Sequence, residues 1–206
     1  MLIMRRCVRA LGLVVLLTLA PGSAAQAPPT HRVPVLFHVA PGPTGPVVDA
    51  TFLKAQLAHA NTVFLELGIE LVAVEVRQEP QQGARLVSRA DRDRLARLLS
   101  PRVLNVFVVA TLMDVDEPGR ERRGVHWRVR RDPRLHFVVV SAISGPYVLA
   151  HELGHYFGNP EHSQTPGNLM SYLHTEAVPM LDSEQRERVW ATLQRMLTQR
   201  ELEPAP

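Results

Sequence analysis

Cysteine is almost absent from this chain. Among 206 residues there is only Cys7, and it lies in a leader segment that reads as removed on export. Without it the chain can form no disulfide, and no thiol remains as nucleophile or metal ligand. Lysine is as scarce, with Lys54 alone among 23 basic residues. Aromatic residues make up only 5%. No aromatic ladder accompanies the basic stretch from Arg120 to Arg134. That stretch therefore reads as a solvated face, and no nucleic-acid partner is expected.

Long apolar runs are missing as well. A membrane span needs about 20 apolar residues, and Leu11 to Ala20 is too short. This run follows Arg5, Arg6 and Arg9, and precedes Pro21-Gly22 and small residues through Ala27. The layout is that of a secretory signal peptide over residues 1–27, cleaved after Ala25 or Ala27. An uncleaved N-terminal anchor is the alternative. Cleavage removes three arginines and leaves 20 basic and 20 acidic residues, a formal net charge of zero. The +3 of the full chain therefore does not argue for a nucleic-acid or membrane partner. The expectation is one domain over residues 28–206, secreted or periplasmic, monomeric and without stable membrane insertion. It is long enough for a real core.

Val33 to Val39 reads as a strand, with Pro34 placing its start at a sheet edge. Asp49 opens a helical pattern (Leu53, Leu57, Ala60, Phe64, Leu67) that Gly68 stops. Ile69 to Val76 is a second strand, and Ser88 to Leu99 an arginine-rich helix. Val103 to Ala110 is a buried strand, Thr111 to Arg123 a loop, and Gly124 to Val129 and Phe137 to Ser141 two more strands. Ser144 and Pro146 are start signals for a helix through His155. Asp182 and Gln185 form a capping pair for a last helix striped by Val189, Trp190, Leu193, Met196 and Leu197. The pattern predicts an α+β fold, a mixed α/β layer with a mostly helical C-terminal part.

The chemistry is concentrated in HELGHYFGNPEHS, residues 151–163. On a helix His151 and His155 lie one turn apart on one face, about 6 Å along the axis. Two imidazoles there can converge on a zinc ion at about 2.0–2.1 Å. Glu152 projects beside them and can reach a water on the metal without ligating, where a general base belongs. Gly158 then breaks the helix so that the chain can return to the metal. Two candidates for the third ligand stand side by side beyond it, Glu161 and His162.

These residues, with NLMSY at 168–172, resemble the metzincin zinc endopeptidases, nearest to pappalysin-like and astacin-like members. The resemblance covers residues 144 to 190. It implies a zincin-like domain with a twisted mixed sheet of about five strands, an active-site helix and a C-terminal helix. It implies that His151 and His155 bind zinc, that Glu152 is the catalytic base and that Met170 is the Met-turn methionine. It also gives Tyr172 a role at the zinc or the oxyanion. The clan's third ligand comes ten residues after the first histidine, which is Glu161 here. His162 is one residue later. A surface loop absorbs one extra residue cheaply, and histidine is the commonest metal ligand, so His162 is preferred over Glu161. In the clan a strand just upstream of the zinc helix pairs with extended substrate, and residues 124–129 resemble it. The expected function is a secreted zinc-dependent endopeptidase of protein or peptide substrates. The alternatives are a binding protein on a catalytically impaired metzincin fold and a small-molecule amidase. Asp114, Asp116 and Glu117 lack calcium-loop spacing and read as a solvated acidic turn.

Overall fold

The computed structural model describes residues 31–79 and 83–205. The signal-peptide reading of residues 1–27 lies outside the described residues. The chain runs β1 (His31–Val39), α1 (Ala50–Phe64), β2 (Ile69–Gln78), β3 (Arg85–Leu86), α2 (Arg89–Leu95), β4 (Leu104–Val109), β5 (Thr111–Leu112), β6 (Gly124–Val129), β7 (Asp132–Ser141), α3 (Val148–Tyr156) and α4 (Ser183–Thr198). Five strands form one mixed sheet in the order β2-β1-β4-β7-β6. The first four are parallel, and β6 closes the sheet as an antiparallel edge. This is the mixed α+β layer that the sequence predicts.

Helices α1, α3 and α4 bury one face of the sheet around Phe64, Leu149, Leu153, Phe157 and Leu193. The other face packs Phe107, Phe137 and Val139 against Leu95 of α2. Local signals set most boundaries. Asp49 caps α1 by accepting from Phe52 N at 2.9 Å. Gly68, at φ 71°, ends the turn that follows it. Asp182 and Gln185 form the predicted capping box of α4.

Two expectations need correction. Strand β1 is internal, flanked by β2 and β4. Pro34 is tolerated because pairing with β4 begins only at Val35, so its missing N–H leaves no gap on that side. Helix α3 does not start from Ser144 or Pro146. Its N-cap is Tyr147 in the left-handed region, φ 61°, with no side-chain cap of its own, a conformation that costs about 1–2 kcal/mol. Gln56 of α1 supplies the missing partner. Its Oε1 accepts from Leu149 N at 3.2 Å and its Nε2 donates to Gly145 O at 3.0 Å. Ser144 Oγ instead donates to Arg123 O, tying the entry loop to the start of β6.

Candidate metal centre

Helix α3 presents His151 and His155 with ring centroids 4.9 Å apart and planes nearly perpendicular. It ends at Gly158, φ +99°, and the chain turns back. The loop then brings His162 against both imidazoles, anchored by Ser163 N donating to Met170 O at 2.9 Å. Among the described residues these three histidines are the one group of three or more ligating side chains that can hold a metal ion. Glu161 is exposed and outside the group, so the extra loop residue leaves the carboxylate in solvent and delivers the imidazole. Asp114, Asp116 and Glu117 form no such group. Asp114 Oδ1 accepts from Asp116 N and Glu117 N while Oδ2 accepts from Arg122 Nε.

The hydrogen bonds of the first two histidines fix their tautomers. Nδ1 of His151 donates to Leu169 O at 2.7 Å, and Nδ1 of His155 donates to Asn159 O at 2.6 Å. A carbonyl can only accept, so in each neutral ring Nε2 is left with a lone pair. Those two Nε2 atoms lie 3.3 and 3.2 Å from Nε2 of His162. One proton on His162 cannot serve both well, whereas a cation at the centre satisfies all three. The edge of a tetrahedron drawn around Zn–N bonds of 2.0–2.1 Å is about 3.3 Å. The donor set therefore fits zinc in both chemistry and spacing.

The supports of the two carbonyls reach across the fold. Asn159 is buried, with its Oδ1 accepting from Arg188 Nε at 2.8 Å and its Nδ2 donating to Gln185 O. Asn168 Oδ1 accepts from Met170 N, and its Nδ2 donates to Gln185 Oε1. Helix α4 thus holds both carbonyl-bearing segments in place. Met170 is fully buried beneath α3, where a Cβ on Gly154 would lie 2.3 Å from its Sδ. Gly154→Ala is expected to lose up to about 2 kcal/mol in urea unfolding, because an overpacking cost of about 1–3 kcal/mol is set against a gain of about 1 kcal/mol in helix propensity.

Glu152 is buried beside the trio, at the edge strand. Its Oε2 accepts from His126 N at 2.7 Å. A Cβ on Gly124 would sit 2.8 Å from its Cγ and Oε1, so only glycine fits there. Desolvation pushes its carboxyl up to about 8 in the metal-free chain, against the opposing pull of the His126 N–H. Tyr172 is exposed, its ring centroid 4.3 Å from that of His162.

Burial also disfavours imidazolium here. His151 is pushed down to about 4, and His155 and His162 are lowered too, desolvation leading in each. His126 and His136 pair at 3.0 Å and fall to about 2 and about 4, again mainly by desolvation. A histidine lowered on folding contributes stability above its unfolded pKa, near 6.5, and loses it as pH falls through its folded pKa. The metal-free chain should therefore lose stability steadily from about pH 6.5 to below about 4. Thermal unfolding measured across that range tests this, and a flat profile would contradict it.

Sequence reasoning missed Gly124, His126, Asn159 and Gln56. Only Gly124 carried a signal, since a glycine inside a strand marks a close approach.

No family model matches the sequence, and no curated protein matches it. Solved structures do match. Metalloproteinase-II from Bacteroides fragilis is similar at TM-score 0.58 and 16% identity, over 82% of this chain and 55% of that one, so the chain spans about half of it. Archaemetzincin from Methanopyrus kandleri aligns at TM-score 0.52 and 16% identity, over 82% of this chain and 99% of its own. Mature mirolysin from Tannerella forsythia, in complex with a cleaved peptide, aligns at 0.55 and 13%, over 84% and 99%. At such identities the likeness is one of fold: the chain shares the fold of these three proteins, among them a metalloproteinase and an archaemetzincin.

Proposed function

We propose that this chain is a secreted zinc-dependent endopeptidase, with His151, His155 and His162 holding the metal. The observation that carries the reading is the trio of facing Nε2 atoms, two of them stripped of protons by backbone carbonyls, with a buried carboxylate beside them. Zinc bound there supplies Lewis-acid polarisation of the scissile carbonyl and of the attacking water. Glu152 acts as general base, taking the water's proton and returning it to the leaving amine. The His126 N–H holds Oε2, which leaves Oε1 for proton transfer. Tyr172 stands beside His162 to assist at the oxyanion.

The substrate lies extended along β6. The His126 N–H points away from β7 and is taken by Glu152. By strand alternation the backbone groups of Gly124 and Arg128 and the carbonyl of His126 point the same way. They are the pairing edge for a peptide. Cavities of about 580 and 450 Å³ lie on either side of Glu152, and both are lined by Gly124 and Tyr172. The site is therefore open along a chain rather than closed around a small amide.

Metal removal tests the proposal. Purified protein should cleave an unstructured protein substrate, lose that activity under a chelator and regain it with added zinc. Cleavage that survives metal removal would overturn it.

A further inference from the structure

The two halves of the cleft differ in charge. The half beside Tyr147 and His174 is mixed, since it carries Glu121 and Glu176 as well as Arg120, Arg122 and Arg123. The half beside His155 and His162 is lined by Arg122 and Arg128, and its only carboxylate is Glu152. Arg122 is already neutralised there, its Nε donating to the buried Asp114 at 2.6 Å. Arg128 is not. Its NH1 donates to the carbonyl of Pro133 at 3.3 Å, and the nearby Asp132 is held by Arg134. Among the described residues, Arg128 forms an ion pair with no carboxylate.

Arg128 is also placed to read a substrate. It shares a face of the edge strand with His126 and Gly124, because side chains alternate along a strand. It stands two residues, about 7 Å, beyond the His126 N–H that holds Glu152. A peptide paired along β6 with its reacting carbonyl near Glu152 puts a side chain beside Arg128 about two positions away, within reach as a cross-strand pair.

We propose that this half of the cleft selects a carboxylate side chain, Asp or Glu, about two residues from the scissile bond, and that Arg128 is the specificity-determining residue. The preference is one-sided, because the other half carries acids of its own. The inference rests on the peptidase reading.

The test is a cleavage-site profile of zinc-loaded protein on a peptide library, for wild type, Arg128→Glu and Arg123→Glu. Wild type should enrich Asp and Glu at one position on one side of the cut. Arg128→Glu should replace that enrichment with Lys and Arg, while Arg123→Glu, on the other half, keeps it. An Asp peptide should exceed its Asn counterpart in kcat/KM by up to about five-fold, the size of an exposed ion pair, and by less at high salt. No acidic enrichment, or enrichment unmoved by Arg128→Glu, overturns the proposal. If zinc-loaded wild type cuts no peptide, the peptidase reading fails by itself. Fluorescence anisotropy with the same labelled peptides then decides: tighter binding of the Asp peptide, lost in Arg128→Glu, supports the proposal, and equal binding overturns it.

Discussion

Glu152→Ala is expected to abolish nearly all peptide hydrolysis and to leave zinc binding unchanged. The carboxylate accepts from His126 N and lies outside the histidine group, so the donor set should survive its loss. General-base catalysis contributes about 10²–10⁴-fold, and kcat should fall by at least that much. Glu152→Gln separates chemistry from packing. It keeps the size of the side chain and an acceptor for the His126 N–H, yet cannot take a proton. Its loss of turnover should match that of alanine, while its metal-free stability at neutral pH stays at or above wild type, because the buried carboxyl is already disfavoured as an anion. Zinc stoichiometry beside kcat/KM checks both variants. Substantial turnover in either one removes Glu152 from the mechanism.

His162→Ala is expected to lose the metal, and Glu161→Ala to keep it. Loss of an outer hydrogen-bond partner costs about 10–100-fold in metal affinity, so loss of a direct ligand should cost more than about 100-fold. Two histidines one turn apart remain in His162→Ala, enough for weak, exchangeable binding only. Glu161 is exposed and lies outside the histidine group, so its replacement should leave affinity within about twofold, as for surface substitutions generally. Metal content after dialysis against a weak chelator distinguishes the two. Zinc retained by His162→Ala and lost by Glu161→Ala would reassign the third ligand. A wild-type protein that takes up no zinc in metal-replete buffer would favour a binding role for the fold instead.

What was legible in the sequence is what a helix determines locally. His151, Glu152 and His155 fall into place because their spacing is that of one helical turn. The capping box of Asp182 and Gln185 and the stop at Gly68 are local in the same sense. The third ligand remained a choice of two, because a loop's path depends on distant anchors such as the Ser163–Met170 bond and the Asn159–Arg188 contact. The partners of the candidate site residues were mostly illegible. Backbone N–H and C=O groups are the same in every residue, so nothing marks Leu169 O, Asn159 O or His126 N in advance. The start of α3 was misplaced for a related reason. Its cap comes from Gln56, 93 residues earlier, and no local pattern encodes such a partner.

That borrowed cap bears on when the site comes into being during folding. A contact spanning so much chain carries a loop-closure cost and forms only once α1 has docked on α3. In any intermediate without α1, the first turn of α3 lacks its acceptor, and His151 sits in that turn. On the proposed reading, tight metal affinity would be a property of the completed fold rather than of the segment that carries the three histidines. A metal ion bound there would add its binding free energy to the stability of the whole fold, and little to any fragment.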